Sequence, residues 1–158
     1  MNLRVLLRGP GLPHTVAVGL RAGAVGTTVL DLVTYADMTA RGRPASSAPA
    51  QLAELAADRA GLDIGRGERR EARSQGLGAL LGIGAGLATG VAGSLMVRSH
   101  HPRTLTLAMA LGLCAMVASD VPLVVAGVSD PRQWGPAGWL ADVLPHAAYG
   151  VATAVTLS

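Results

Sequence analysis

Four long apolar stretches, separated by polar and turn-forming segments, set the pattern of this chain. They run from Thr15 to Asp37, Gly76 to Val97, Thr104 to Val128 and Gly138 to Leu157. Each approaches the ~20 residues that a helix needs to cross about 30 Å of hydrocarbon. Apolar and polar positions do not alternate along them, as the strands of a membrane barrel would require. In lipid an irregular span strands backbone N–H and C=O groups, so helix is the expected form. The pattern predicts an all-α membrane protein, a four-transmembrane-helix bundle forming one integral membrane domain over residues 1–158.

The connections differ in length and character. Residues 38–75 form a long polar loop, Arg98–Arg103 a short turn, and Ser129–Pro136 a connection rich in helix breakers. Within the long loop, Ser46-Ser47-Ala48-Pro49 reads as a helix start and Gly61 as a stop just past the end. A short amphipathic helix is expected from Pro49 to Ala60. Leu52, Leu55, Ala56 and Leu62 fall near one of its faces, which would lie on the membrane surface. Arg66, Arg69, Arg70 and Arg73 follow at spacings that put all four on one side of a helix leading into the second span. Anionic lipid headgroups suit such a stripe, at ~1 kcal/mol per residue. A solvated flank partly neutralised by Glu68 and Glu71 is the alternative.

Composition excludes an ordinary soluble domain. Hydrophobic residues make up 50% and charged residues 15%, against about 25% charged in soluble domains. Mean hydropathy is +0.41. Phe is absent and there are 21 Gly, a richness at home where helices pack closely in lipid. A pI near 10.0 would fit nucleic acid, but the arginines gather in a loop between apolar segments. The bilayer is therefore the expected partner, with a homo-oligomer or larger membrane complex beside it and no nucleic acid. Cys114 is the single cysteine, inside an apolar segment, and is expected as a small buried side chain. Arg4 and Arg8 before the first apolar run faintly resemble a signal peptide. Arg21 and Asp31 interrupt that run, so a retained first span is expected.

Charge sets the expected orientation. The long loop and the third connection share one side, which carries Arg41, Arg43, Arg59, Arg66, Arg69, Arg70, Arg73 and Arg132. The other side carries Arg4, Arg8, Arg98 and Arg103. The positive-inside rule puts the loop in the cytoplasm and both termini outside, in a multi-pass protein of the bacterial inner (plasma) membrane. Tyr35, Trp134 and Trp139 fall on the same interface.

Two patterns inside the spans bear on function. Gly78, Gly82, Gly86 and Gly90 form a four-residue ladder of the GxxxG type, which lets a partner backbone come close. Packing on the first or third span is favoured over pairing with a second copy. Gly19, Gly23, Thr27 and Asp31 form a small and polar stripe on the first span. Asp120 lies in the third span shortly before Pro122. Asp142, His146, Tyr149 and Thr153 share one face of the fourth. At ~1.5 Å per residue, Asp31 lies roughly 9 Å from the loop-side end of its span, Asp120 and His146 roughly 12 Å and Asp142 roughly 6 Å. All four ionisable groups then fall in one leaflet, whichever way the chain inserts. A charge at mid-membrane costs at least about 2.5 kcal/mol, so such groups face inward and pair. Asp31, Asp120, Asp142 and His146, with Tyr149, are therefore expected as one polar cluster. It would act either as a structural lock or as the lining of a cavity for a proton, cation or small polar ligand. No metal-binding, cofactor-binding, phosphate-binding or nucleophilic motif stands out.

The runs Gly23-Ala24-Val25-Gly26-Thr27-Thr28, Asp31 to Tyr35, Arg41-Gly42-Arg43-Pro44-Ala45-Ser46-Ser47 and Asp142-Val143-Leu144-Pro145-His146-Ala147-Ala148-Tyr149-Gly150 resemble a group of small uncharacterised actinobacterial multi-pass membrane proteins. The resemblance implies a four-helix membrane fold and no assigned activity. The expectation is a non-enzymatic structural or accessory subunit acting through helix packing. The alternative is a small transporter or channel component using the Asp/His cluster.

Overall fold

The computed structural model describes residues 11–158; Arg4 and Arg8 lie outside them. Among the described residues every regular element is helical. The helices are α1 (Leu12–Arg41), α2 (Ala48–Arg59), α3 (Glu68–His100), α4 (Thr104–Val125) and α5 (Pro136–Leu157), with one 3-10 turn at Pro131–Gln133. α1, α3, α4 and α5 are each long and apolar enough to cross a membrane, and the chain is a four-helix membrane bundle with a short helix in its first loop. The end bearing the long loop is called the loop side here, and the end bearing His101–Arg103 the turn side.

Helix boundaries follow local chemistry. Gly42 (φ 63°) and Gly61 (φ 67°) take the left-handed conformation that stops α1 and closes the turn after α2. His101 does the same after α3, with φ 44°. α4 stops at Val125, short of the expected Val128, because the chain turns through Gly127 at φ 72°. α3 has 33 residues, about 50 Å of helix at ~1.5 Å per residue. That exceeds the ~30 Å of hydrocarbon, so its arginine-bearing first turns project beyond the apolar stretch.

α1 packs against α3 on one side and α5 on another, α5 packs against α4, and α1 scarcely touches α4. α3 and α4 meet near the turn, where Gly93 lies against Leu111 and Leu157. The turn-side half is tight. A Cβ on Gly19 would stand 2.5 Å from the Val91 Cα, and one on Gly90 would stand 2.5 Å from both the Gly19 carbonyl and the Gly23 backbone. Ser94 Oγ donates to the Thr15 carbonyl at 2.6 Å, and Arg98 donates to Thr15 Oγ1 at 3.2 Å. Gly112 and Gly150 bring α4 and α5 together in the same way: a Cβ on Gly112 would sit 2.9 Å from the His146 carbonyl.

The loop-side half is looser. Residues 79–84 of α3 are all exposed. With ~3.6 residues per turn, six consecutive positions cover every direction around the helix, so no neighbour covers α3 at that level. Below it, α2 docks on α3. The α2 face that packs on α3 is Ala53 and Ala57, while Leu52 and Leu55 stay partly exposed and Ala56 and Leu62 exposed. Gly78 lets the Pro49 backbone come so close that a Cβ would meet its carbonyl carbon at 2.7 Å, and only small residues permit that approach. Arg70 ties the dock to Asp58 at 2.8 Å and Glu54 at 3.7 Å.

Candidate functional site

α4 and α5 bring three of the predicted ionisable groups together. The α4 face toward α5 is small: Ala108, Gly112 and Ala115, then Ser119 two turns beyond Gly112. This lets the His146 turn of α5 lie against it. His146 Nδ1 stands 2.8 Å from the Asp142 carbonyl and 3.3 Å from Asp142 Oδ1. A carbonyl only accepts, so Nδ1 carries a proton. Across the helix gap, His146 Nε2 is 3.3 Å from Ser119 Oγ, which in turn lies 3.2 Å from Asp120 Oδ1 and 2.9 Å from the Met116 carbonyl.

The result is one continuous chain, Asp142–His146–Ser119–Asp120, with a carboxylate at each end. Its hydroxyl is a two-way element. Neutral His146 accepts the Ser119 proton at Nε2. Protonated His146 donates there instead and frees the hydroxyl to donate to Asp120 or Met116. The side chains of Asp142 and His146 keep 16% and 13% of their exposure. One atom is left over: Asp142 Oδ2 is buried and without a hydrogen-bond partner, the costly state that such an oxygen ordinarily avoids. Among the described residues, no three His, Cys, Asp or Glu side chains converge as a metal ion requires.

Two predicted members do not join this chain. Asp31 is half-buried and makes no hydrogen bond or ion pair among the described residues. It lies one turn beyond Thr27, whose Oγ1 fills the space over Gly86, on a helix that scarcely touches α4. Tyr149 is fully buried and donates to the Gly86 carbonyl at 2.6 Å. A Cβ on Gly26 would stand 2.8 Å from the Tyr149 ring and nearer still to Thr153 Oγ1. Tyr149 therefore binds α5 to α1 and α3 and stands apart from the polar chain.

The other predicted sets are sorted in the same way. In the glycine ladder, Gly78 meets α2, Gly86 meets Thr27 and Tyr149, and Gly90 meets Gly19 and Gly23. Gly82 meets nothing within 4 Å, because α1 and α3 have parted one turn past Thr27 and Gly86. In the arginine stripe, Arg70 is taken by Asp58 and Glu54, whereas Arg66, Arg69 and Arg73 have no carboxylate partner among the described residues. Cys114 is exposed, contrary to the buried site expected, because it lies on the α4 face turned away from α5.

Sequence reasoning passed over Ser119, Gly112 and Gly150. Their signal is present: Ala108, Gly112, Ala115 and Ser119 recur every three or four residues, a small stripe like that of α3 but with only one glycine. Trp134 lies in the connection between α4 and α5 and Trp139 at the start of α5. Trp134 and Trp139 pack edge to face at 5.1 Å, and Trp134 Nε1 donates to Ser129 Oγ at 3.1 Å. No protein family, curated protein or solved structure matches the chain.

Proposed function

We propose that the chain is a non-enzymatic structural or accessory subunit of the plasma membrane, acting through helix packing. The observation that carries this reading is the closure of the turn-side half. Backbone meets backbone at Gly19, Gly23 and Gly90 between α1 and α3, and at Gly112 and Gly150 between α4 and α5. Such contacts hold each helix pair at backbone distance, while the Asp142–His146–Ser119–Asp120 chain links α5 to α4 through the contact of His146 with Ser119. Paired in this way, the four groups hold α4 to α5 in hydrocarbon, where unpaired charges are expelled. The arginine balance favours a cytoplasmic long loop. Labelling of cysteines placed in the long loop and at Gln133 should find both on the cytoplasmic side.

A second reading, a small transporter or channel component, is favoured by one atom, the unpartnered Asp142 Oδ2. Proton flux into vesicles holding the purified chain, and thermal unfolding of Asp120→Asn, Asp142→Asn and His146→Ala in detergent, separate the two. The subunit reading expects no flux above empty vesicles and a lowered Tm for all three variants. Flux in the parent chain that vanishes in Asp142→Asn, with Tm unchanged, would establish the transport reading instead.

A further inference from the structure

Beside α3, where its apolar stretch begins, a surface hollow opens between the loop after α2 and the helix. Leu62, Ile64, Arg73, Gly76, Leu77 and Leu80 line it. Its two halves differ in chemistry. Toward the bilayer it is apolar: Ile64 is buried at its base, and Leu62 and Leu80 stand 63% and 64% exposed. A Cβ on Gly76 would touch nothing within 4 Å, so the helix side is open. At its loop-side rim is Arg73, with Arg69 one turn further along the same face. Neither has a carboxylate partner among the described residues, although their neighbour Arg70 has two. The one acid in the lining, Asp63, has Oδ1 engaged by the Gly65 amide at 2.7 Å.

We propose that this hollow is a binding site for an anionic phospholipid. Its phosphate sits against Arg73 and Arg69, and one acyl chain lies along Leu77, Leu80 and Ile64. Each half asks for one part of that molecule. Unpaired guanidinium groups at the end of the apolar stretch select a phosphate at headgroup depth. Leu62 is a large apolar side chain on an exposed loop, and a hydrocarbon chain covers it. Free phosphate would satisfy the arginines and leave the apolar floor unused. A zwitterionic lipid would fill the floor and give the arginines no net charge to bind.

The test uses the purified full chain in neutral detergent and follows Tm during titration with phosphatidylglycerol, phosphatidylcholine of the same acyl chains, or inorganic phosphate. Phosphatidylglycerol should raise Tm in a saturable way, and the other two should not. Arg73→Gln should weaken the apparent affinity by about fivefold, the value of one surface arginine. Arg103→Gln, an equal loss of charge on the turn side, should leave it unchanged. Gly76→Trp, which fills an empty space, should abolish the response while keeping the parent Tm without lipid. Equal responses to both lipids, reproduction of the shift by phosphate alone, or equal weakening by Arg73→Gln and Arg103→Gln would each overturn the proposal.

Discussion

Gly90→Ala and Gly82→Ala should move stability in opposite directions, although the two residues hold equivalent places in one four-residue ladder. At Gly90 the new Cβ would stand 2.5 Å from the Gly19 carbonyl and 2.5 Å from the Gly23 N and Cα. Non-bonded heavy atoms settle near ~3.5–4.0 Å, so α1 and α3 must part by about 1 Å. Overpacking of this kind costs ~1–3 kcal/mol. The same movement strains the bond from Ser94 Oγ to the Thr15 carbonyl, now 2.6 Å; its loss adds ~1 kcal/mol. Ala returns up to ~1 kcal/mol through helix propensity. The net expectation for Gly90→Ala is a loss of about 1–3 kcal/mol. At Gly82 the new methyl meets nothing, so only the propensity gain remains, up to ~1 kcal/mol. Reversible unfolding in mixed micelles titrated with dodecyl sulfate, followed by far-UV circular dichroism, reads both. Equal losses in the two variants, or a gain in Gly90→Ala, would refute the assignment of the close α1–α3 contact.

Tyr149→Phe removes the bond to the Gly86 carbonyl at 2.6 Å and keeps the ring. Intramembrane hydrogen bonds average ~0.6 kcal/mol and reach ~1.7, so a loss of about 1 kcal/mol in the same assay is expected, and no change would deny the bond any weight. Gly78→Val puts a side chain where the Pro49 carbonyl carbon is 2.7 Å away, and should lift α2 off α3. In a Cys114→Ala background, a cysteine introduced by Ala53→Cys, at a position only 3% exposed, should then react rapidly with a maleimide. Continued protection would place the dock elsewhere.

The spans were legible because lipid imposes length and apolarity, and both are properties of a segment read alone. The same holds for the stop at Gly61. What sequence could not supply was direction around the bundle. Depth placed Asp31 level with Asp120, Asp142 and His146, but joining them also requires α1 beside α4. The structure puts α1 between α3 and α5. Helical periodicity likewise puts Gly78, Gly82, Gly86 and Gly90 on one face and is silent on whether a neighbour stands opposite each. On α2, periodicity marked an apolar leucine face but gave no sign of the contact with α3, which goes through Ala53 and Ala57 because backbone approach at Gly78 rewards the smallest side chains.

Two of these positions, Gly82 and Asp31, lie where α1 and α3 part. From Gly19 to Gly23 the two helices touch through backbone. At Thr27 and Gly86 the partners become a side chain and a helix surface, with the Tyr149 ring wedged beside them. One turn further, Gly82 is uncovered and Asp31 has no partner. The wedge of Tyr149 and Thr153 against Gly26 thus sets where tight packing ends, and residues on either side of it change role within one turn. A glycine ladder crossing that level cannot act as one unit. Its upper rungs hold α1, its lowest rung holds α2, and Gly82 between them leaves α3 bare beside the hollow lined by Arg73 and Leu80.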